Sequence, residues 1–323
     1  MDNLFIVRSP LQIINALEAI EYFHLKDNIL VIIYNNTDNT NLQMDKLIKL
    51  YKWKEIIYVN EKKKKSKYFE YIAFTYRLKK RKYNYLFFSN LGSIHKLLLA
   101  NIKRKHTYYI DDGVETLSRY NDIFLPNRLN QFTLRQMRFL LAGLNIYIKD
   151  NIHFFTYFDL KDFRNSKIVR NDLHHFQKKY FKDMKEDTTT YILGQALVSL
   201  GFLEQEYYFQ AIDIIVQRSK NKIVYIPHRT EKVSSRLQNY VSKNFEIRDI
   251  NMPVELYFLE NKIYPHQIIS FITTAFFTLK KLYPKTKMAY IYISQDKILK
   301  NKKAIEDTYK SIEKLNIEKI DID

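Results

Sequence analysis

Short, continuously apolar segments alternate with longer amphipathic segments along most of this chain. In the first half, the apolar segments predict strands at residues 4–7, 29–34, 55–59, 85–88 and 108–110, and the amphipathic ones predict helices at 11–22, 42–51, 68–80 and 94–102. Strands that are apolar throughout and are separated by helices are typical of a parallel sheet covered on both faces.

The pattern pauses and then resumes in the second half. Residues 154–187 are more polar and irregular, and they predict a linker. After them, strands are predicted at 189–193, 223–226, 245–248, 267–271 and 288–293, and helices at 204–217, 231–241, 273–282 and 302–315. We therefore predict an α/β protein of two Rossmann-like, doubly wound parallel-sheet domains, an N-terminal one over residues 1–170 and a C-terminal one over 171–323.

The chain is strongly basic. Its 53 Lys and Arg residues outnumber 35 Asp and Glu residues, which gives a formal net charge of +18, and the cations cluster at residues 62–67, 77–82 and 103–105. Such clusters attract nucleic acids or an anionic membrane surface, although the abundance of Lys, Asn, Ile and Tyr also fits an AT-rich coding bias. Because no nucleic-acid recognition motif accompanies the clusters, we expect no specific nucleic-acid partner.

Composition excludes several classes of protein. There is no cysteine, so disulfides and thiolate metal sites are excluded. With five glycines, the chain contains neither a Gly-rich phosphate loop nor a dinucleotide fingerprint, which excludes the common ATPase, GTPase and NAD-dehydrogenase classes. No segment reaches the roughly 18 apolar residues of a membrane-spanning helix, and the first residues do not resemble a signal peptide. We therefore expect a cytoplasmic protein.

Ligands of doubly wound sheets bind beyond the carboxyl ends of the strands, and the first candidates there are Asp111, Asp112 and Gly113. Successive side chains of a strand point to opposite faces, so one of the two carboxylates is expected to enter the site. A carboxylate at this position can accept the proton of a sugar hydroxyl, and an adjacent like charge raises the pKa of one of the pair. An aspartate helix cap beside a tight turn predicts the same sequence.

Two strand ends in the second half carry further polar residues. His228 and Arg229 follow the predicted strand at 223–226, where either cation can neutralise a departing phosphate. Thr273 and Thr274 lie between a predicted strand and a helix, where hydroxyls and free N–H groups make an anion site. A surface histidine and an ordinary threonine cap would predict the same sequence. The order of the motifs along the chain is therefore more specific than any one of them.

That order resembles the bacterial sialyltransferases. The resemblance is closest to the lipooligosaccharide sialyltransferases of glycosyltransferase family 52 and extends, at the level of motifs, to the polysialyltransferases and the marine-bacterial sialyltransferases. Residues 9–12 (Ser-Pro-Leu-Gln) resemble the turn after the family's first strand, and residues 111–113 its acidic-acidic-Gly motif. Residues 191–194 resemble the strand and glycine that open the second domain, and Pro227-His228 resembles the histidine motif.

Further matches lie in the second half, with two departures. Glu255 matches a glutamate that holds the nucleotide ribose in the family. Thr273 and Thr274 stand where relatives have a serine pair that holds phosphate or carboxylate, so the hydroxyls are kept. Arg229 follows His228 where a proline is usual.

A third departure concerns the catalytic base. Some relatives carry an aspartate shortly after the glycine that corresponds to Gly194, and that aspartate is assigned as the base. Here residues 195–197 are Gln-Ala-Leu and offer no carboxylate. The base role therefore passes to Asp111 or Asp112, and the commoner pattern among the related families favours Asp111.

The resemblance implies a GT-B fold, in which two Rossmann-like domains face each other across a cleft. It also implies an inverting glycosyltransferase, without metal or other cofactor, that moves sialic acid from CMP-sialic acid to a hydroxyl of a galactose-terminated bacterial surface glycan. Asp111 or Asp112 would act as base, and His228 would stabilise the departing phosphate. The residues implied in donor binding are Gln12, Gly113, Gly194, Gln195, Arg229, Glu255, Thr273 and Thr274.

The implied partners are a CMP-activated sugar donor, a glycan acceptor, an anionic membrane surface on the inner face of the cytoplasmic membrane, and a second copy of the chain in a homodimer. Two alternatives stay open. The donor could be another CMP-linked ulosonic acid of the Kdo, legionaminic or pseudaminic type. Alternatively, the charge of +18 could belong to a nonenzymatic polyanion-binding protein.

Overall fold

The computed structural model of the protein describes residues 1–34, 38–60, 67–113, 115–228 and 230–322. The chain divides into two compact units, Met1–Lys179 and Tyr180–Asp323. In the main sheet of each unit, all the described strand pairs are parallel. Each unit is therefore an α/β sheet in which helices connect parallel strands, as the sequence predicts.

The first unit is built on a seven-stranded sheet. Its strands are β1 (Asp2–Val7), β2 (Asn28–Tyr34), β3 (Glu55–Asn60), β4 (Lys82–Phe88), β5 (Lys103–Ile110), β6 (His153–Thr156) and β7 (Ile168–Arg170), in the spatial order β3-β2-β1-β4-β5-β6-β7. Its helices are α1 (Pro10–Tyr22), α2 (Asp38–Ile48), α3 (Lys67–Lys79), α4 (Ser93–Asn101), α5 (Glu115–Arg119), α6 (Leu134–Met137) and α7 (His174–Tyr180), with a π-helical turn at Tyr120–Phe124 and a 3-10 turn at Leu140–Ala142.

The second unit is built on a six-stranded sheet. Its strands are β9 (Thr190–Leu193), β10 (Ile223–Ile226), β11 (Phe245–Ile247), β13 (Gln267–Ser270), β14 (Lys287–Tyr292) and β15 (Glu318–Asp321), in the order β11-β10-β9-β13-β14-β15, and β8 (Lys185–Glu186) pairs separately with β12 (Ile263–Tyr264). Its helices are α8 (Gln205–Arg218), α9 (Ser235–Gln238), α10 (Val254–Glu260), α11 (Ala275–Leu282) and α12 (Lys302–Glu313).

The central strands are buried on both faces because they are apolar along their length. In β1, Leu4, Phe5, Ile6 and Val7 are fully buried, and Phe5 stacks on Phe87 of β4 with ring centroids 4.6 Å apart. Ser9 caps α1 by accepting a hydrogen bond from the backbone N–H of Gln12. The buried pattern fixes the register of each strand and hence which residues follow it at the carboxyl edge.

The linker predicted at residues 154–187 is wrong. The structure places the strand β6, the edge strand β7 and the helix α7 in this region, and Phe154 and Phe155 of β6 are fully buried. These strands have only four and three residues, so the polar residues around them obscured their apolar pattern. Glu18 of α1 accepts hydrogen bonds from the N–H groups of His175 and Phe176. This ties α7 to the first unit, whose last residue is Lys179, whereas the sequence analysis set the boundary after residue 170.

Further elements of the second unit also differ from prediction, among them the short paired strands β8 and β12. The helix predicted at 231–241 is a loop followed by the short α9, because the Glu231 side chain turns inward to hydrogen-bond Tyr225. The helix α10 was not predicted because it has only seven residues. The edge strand β15 was not predicted because its sequence, Glu-Lys-Ile-Asp, is mostly charged and exposed.

Candidate functional site

The two adjacent aspartates at the carboxyl end of β5 have different surroundings. Asp111 is fully buried. Its Oδ1 accepts a hydrogen bond from the hydroxyl of Thr156, 2.6 Å away, and its Oδ2 accepts one from the backbone N–H of Tyr157, at 2.8 Å. Burial raises the pKa of Asp111 to about 7, against the opposing effect of these hydrogen bonds. Asp111 thus joins β5 to β6 inside the first unit, away from solvent.

Asp112 faces the opposite way and is only partly buried. The hydroxyl of Ser9, at the end of β1, donates a hydrogen bond to its Oδ1 at 3.2 Å. Burial raises the pKa of Asp112, and the Gln12 and Ser9 side chains and the positive charge of Arg8 oppose that rise. A carboxylate with a raised pKa that solvent can reach is suited to accepting a proton.

The ends of β1 and β5 are held together by further polar contacts. The Oε1 atom of Gln12 accepts a hydrogen bond from the N–H of Arg8 at 2.7 Å. The side-chain amide of Asn15 donates to the backbone carbonyl of Asp111 at 3.0 Å. Gly113 has a φ of 63°, a left-handed conformation that favours glycine and turns the chain sharply after Asp112. The predicted residues Gln12, Asp112 and Gly113 therefore lie at one edge of the first sheet.

In the second unit, a buried network joins the ends of β9 and β10. Glu231 accepts hydrogen bonds from the hydroxyls of Tyr225 and Tyr208 and from the N–H of His228, the last at 3.0 Å. Burial raises the pKa of Glu231. The N–H of Gln195 donates in turn to the Tyr208 hydroxyl at 3.3 Å. The sequence analysis did not identify this network, and the spacing of Glu231 three residues after His228 is the signal that points to it.

The network holds His228 at the surface. Its side chain is exposed. The N–H of Thr230 donates to its Nδ1 at 3.3 Å, and the Thr230 hydroxyl lies 2.8 Å from the same atom. An Nδ1 that accepts a hydrogen bond places the proton of the neutral ring on Nε2. Arg229, which the sequence analysis assigned to donor binding, lies outside the described residues.

Gly194 and Gln195 have structural partners at the end of β9. A Cβ atom at Gly194 would lie 2.3 Å from the Tyr225 hydroxyl and 2.3 Å from Glu231 Oε2, so only glycine fits beside the network. The Gln195 side-chain amide donates to the carbonyl of Ile272 at 2.8 Å and accepts from the N–H of the same residue at 3.3 Å. These contacts link the end of β9 to the loop after β13, which carries Thr273 and Thr274.

The remaining predicted residues lie near the first turn of α11. Thr274 precedes the helix and is exposed, and the hydroxyl of Thr273 accepts a hydrogen bond from the N–H of Ala275 at 3.2 Å. Glu255, in the first turn of α10, accepts a hydrogen bond from the hydroxyl of Thr278 in α11 at 2.6 Å. Burial raises the pKa of Glu255. A carboxylate and two hydroxyls thus lie close to the amino end of one helix.

The described part of the chain shows neither a metal-binding cluster nor a membrane-spanning helix. Among its residues, no group of three or more His, Asp and Glu side chains is arranged to hold a metal ion. None of the described helices is long and apolar enough to cross a membrane.

Comparisons with known proteins identify structures of similar fold. No family profile and no curated protein sequence matches the chain. Several solved structures are similar, and three of them are described here. Methanocaldococcus jannaschii UDP-GlcNAc 2-epimerase in complex with UDP-GlcNAc and UDP is 12% identical, covers 98% of this chain and 92% of its own, and gives a TM-score of 0.48. S. aureus MnaA with UDP is 11% identical over 98% of this chain and 88% of its own, at a TM-score of 0.52. E. coli ADP-heptose LPS heptosyltransferase II is 10% identical, covers 92% of this chain and 86% of its own, and gives a TM-score of 0.44.

Identities this low concern the fold and not the activity. The similarity to S. aureus MnaA spans nearly the whole chain, and each unit of this protein carries its own parallel sheet of six or seven strands. The chain therefore has the two-domain, Rossmann-like GT-B fold that the sequence analysis predicts.

Proposed function

We propose that this protein is a glycosyltransferase that takes its sugar from a nucleotide-activated donor. The observation that carries the proposal is the contrast between the two aspartates after β5. Asp111 is enclosed with both carboxylate oxygens hydrogen-bonded, and Asp112 is accessible with a raised pKa. Asp112 therefore fits the role of general base, which the family pattern had favoured for Asp111.

For the donor, we propose CMP-linked sialic acid. Support comes from the order of the motifs along the chain and from their positions in the second unit. His228, Thr273 and Thr274 follow strand ends, and Glu255 in α10 is hydrogen-bonded to the first turn of α11, just after Thr273 and Thr274. S. aureus MnaA, a structure of similar fold, contains UDP, and a pyrimidine nucleotide is the part that CMP shares with it. Kdo, legionaminic and pseudaminic acids are the alternative sugars.

The proposed reaction is a single displacement. Asp112 removes the proton as the acceptor hydroxyl oxygen attacks the anomeric carbon, and the bond from that carbon to the phosphate oxygen breaks. CMP leaves with the bonding electron pair, and His228 neutralises or protonates its phosphate. One displacement inverts the configuration at the anomeric carbon. We propose that no metal or other cofactor takes part and that the acceptor is a galactose-terminated glycan.

Glu255 provides the test of the donor site. Its Oε1 is held by Thr278, and we propose that the carboxylate accepts hydrogen bonds from the ribose hydroxyls. Replacing Glu255 with alanine should weaken CMP binding by about ten- to a hundredfold, which corresponds to about 1–3 kcal/mol. Isothermal titration calorimetry of the purified variant with CMP measures this change.

The matched control is Thr278→Val. It removes the hydroxyl that positions Glu255 and keeps the carboxylate, so we expect a smaller loss of CMP affinity than in Glu255→Ala. A folded Glu255→Ala variant that binds CMP as tightly as the native protein would contradict the donor site proposed for the second unit.

We also propose that the first unit binds an anionic membrane. Leu134 and Leu141 are 86% and 90% exposed, and Met137 and Leu140 between them are also exposed. We call these four residues the apolar patch. The hydroxyls of Tyr68 and Tyr76 in α3 donate to carbonyls of Arg138 and Ala142, so this segment packs against the helix that leads into the basic cluster at 77–82. Exposed leucines beside cations match an interfacial lipid contact. Of the cluster at 62–67, only Lys67 lies within the described residues.

The double variant Leu134→Ser/Leu141→Ser tests this contact. We expect at least tenfold weaker binding to vesicles that contain phosphatidylglycerol, because two apolar side chains no longer enter the interface. Binding by the native protein should also fall steeply with salt. Leu299→Ser is the control, since Leu299 is 54% exposed in the second unit and should not affect binding. Native binding that is absent or independent of salt would refute the proposal.

A further inference from the structure

Polar residues recur at every third position from the cap of α1. Ser9 caps the helix, and Gln12, Asn15 and Glu18 follow at intervals of three, a spacing that places them on one face of the helix. The last three are almost fully buried, with 1%, 0% and 1% of their surface exposed. Such residues mostly lie at protein surfaces, and when buried they need hydrogen-bond partners. We call these four residues the α1 stripe.

The later members of the α1 stripe have partners where strands of the first sheet end. The side-chain amide of Asn15 donates to the carbonyl of Asp111 at 3.0 Å, and its oxygen accepts a hydrogen bond from the Asn171 side chain at 3.0 Å. Glu18 accepts hydrogen bonds from two N–H groups of α7. The stripe therefore joins α1 to the chain after β5, to the chain after β7 and to the start of α7.

The first member of the stripe contacts the proposed base. The Ser9 hydroxyl donates to Oδ1 of Asp112 at 3.2 Å and accepts from the N–H of Gln12 at 3.4 Å. Since β4 lies between β1 and β5 in the sheet, this contact bridges the ends of two strands that are not neighbours. The N–H of Asp112 donates to the hydroxyl of Thr116 at 2.9 Å. Both the backbone and the carboxylate of Asp112 are thus held, and the carboxylate lies at the positive end of the α1 dipole.

The Gln12 side chain is oriented toward the same carboxylate. Its Oε1 accepts a hydrogen bond from the N–H of Arg8 at 2.7 Å, which fixes the plane of the amide and the direction of Nε2. Nε2 is buried, and no acceptor in the described part of the chain meets hydrogen-bond geometry with it. The Gln12 side chain nevertheless lowers the pKa of Asp112 against the effect of burial. Gln12 therefore has a donor to offer to Asp112.

Burial has the largest effect on the pKa of Asp112 and raises it, and the side chains of the α1 stripe oppose that rise. Two charged groups also act on the carboxylate: Glu115 in α5 raises its pKa further, and Arg8 lowers it. The titratable groups beside it on its own segment are Asp111 and Tyr109, both fully buried. Changes to the α1 stripe can leave all four of these groups in place, so the effect of the hydrogen bonds can be measured separately.

We propose that Ser9 and Gln12 are positioning residues for Asp112, which aim its carboxylate and hold it in the charged form that accepts the proton of the acceptor hydroxyl. The proposal rests on the proposed function, which makes Asp112 the base. Hydrogen bonds donated to a carboxylate favour its charged form. Gln12 thereby acts on the base, and not on the donor as the sequence led us to expect.

The dependence of the transfer rate on pH tests this role. Ser9→Ala removes the hydroxyl, so the acidic limb of the profile should move to higher pH, and the rate on that limb should fall roughly tenfold. Gln12→Glu keeps an oxygen for the N–H of Arg8 and places a second carboxylate beside Asp112, so it should move the limb further. At high pH, where Asp112 is charged in every variant, the loss of rate should be smaller. Ser9→Thr keeps the hydroxyl and should restore the native profile.

Ser234→Ala is the matched control. Ser234 also caps a helix, by accepting a hydrogen bond from the N–H of Leu237 at the start of α9, but it lies in the second unit. Its loss should leave the pH profile unchanged. A second readout, NMR of carbon-labelled aspartate side chains, follows the titration of Asp112 itself without any transfer reaction, and Asp112→Asn identifies its signal. Gln12→Glu keeps the cap of α1 and carries the test even where Ser9→Ala is too unstable to measure.

The two readouts separate the possible outcomes. If the Asp112 signal titrates at the same pH in the native protein, in Ser9→Ala and in Gln12→Glu, the proposal is wrong. It is also wrong if Ser234→Ala shifts the titration as much as Ser9→Ala does, since a lost helix cap would then explain the shift. A signal that shifts as expected in a protein that transfers sugar from no nucleotide donor would refute the proposed function and leave the hold of Ser9 and Gln12 on Asp112 standing.

Discussion

Asp112→Asn should lower the rate of sugar transfer by about a hundred- to ten-thousandfold, because general-base catalysis contributes about that much. Asparagine keeps the size of the side chain and an oxygen that can accept the hydrogen bond from Ser9, but it cannot take up the proton of the acceptor hydroxyl. CMP binding should be unchanged, since the proposed nucleotide site lies in the second unit. Steady-state kinetics with a saturating donor, combined with CMP titration, separates these two effects.

The pH profile distinguishes a base from a residue with a structural role. The native rate should fall on the acidic side as Asp112 takes up a proton, and burial moves that fall toward higher pH by raising the pKa of Asp112. The remaining activity of Asp112→Asn should lack this acidic limb. Glu115→Gln is the matched control, because Glu115 is the nearby carboxylate that pairs with Arg119 at 2.6 Å. Full activity in Asp112→Asn and a large loss in Glu115→Gln would assign the base to Glu115.

Asp111→Asn should change how protein stability depends on pH. Burial raises the pKa of Asp111 from 3.8 to about 7, so the folded protein binds a proton between these values that the unfolded chain does not. The contribution of Asp111 to stability is therefore present at low pH and is lost as the pH rises through about 7. The full loss amounts to roughly 4 kcal/mol, from about 1.4 kcal/mol per pKa unit. Asparagine does not titrate, so the Asp111→Asn variant should not show this loss of stability.

Urea denaturation of both proteins at pH 4.5 and pH 8 measures this effect. Asparagine places an amide group near the N–H of Tyr157 or the hydroxyl of Thr156, so the variant carries a constant penalty of about 1–3 kcal/mol. Between the two pH values, however, the difference in unfolding free energy should shift by several kcal/mol in favour of the variant. A difference that is the same at both pH values would mean that Asp111 is not a buried group with a raised pKa.

The sequence was sufficient for most of the architecture, because a strand buried on both faces must be apolar along its whole length. The predicted strands at 4–7 and 223–226 match β1 and β10 closely. Edge strands follow a different rule. The charged edge strand β15 and the short edge strand β7 pair through backbone hydrogen bonds without a fully buried side chain of their own, so their sequences resemble loops. The buried β6 escaped prediction for another reason, since it has only four residues.

Because β6 was not predicted, the sequence could not show which of the two aspartates is enclosed. Their place beyond a strand was readable from the sequence, and so was the expectation that only one faces the site. Which one is enclosed depends on Thr156 and Tyr157, and these residues belong to or follow β6, a strand the sequence did not predict. Gly194 is a similar case. Its need for glycine comes from Tyr225 and Glu231, which are distant along the chain.

The most direct test of the account is to incubate the protein with CMP-sialic acid and lactose in the presence of EDTA and to follow the reaction by proton NMR. The account predicts release of CMP together with a sialylated product whose anomeric configuration is opposite to that of the donor, and loss of both signals in Asp112→Asn. A product that retains the donor's configuration, or an enzyme that leaves CMP-sialic acid untouched while consuming a UDP-linked sugar, would contradict it.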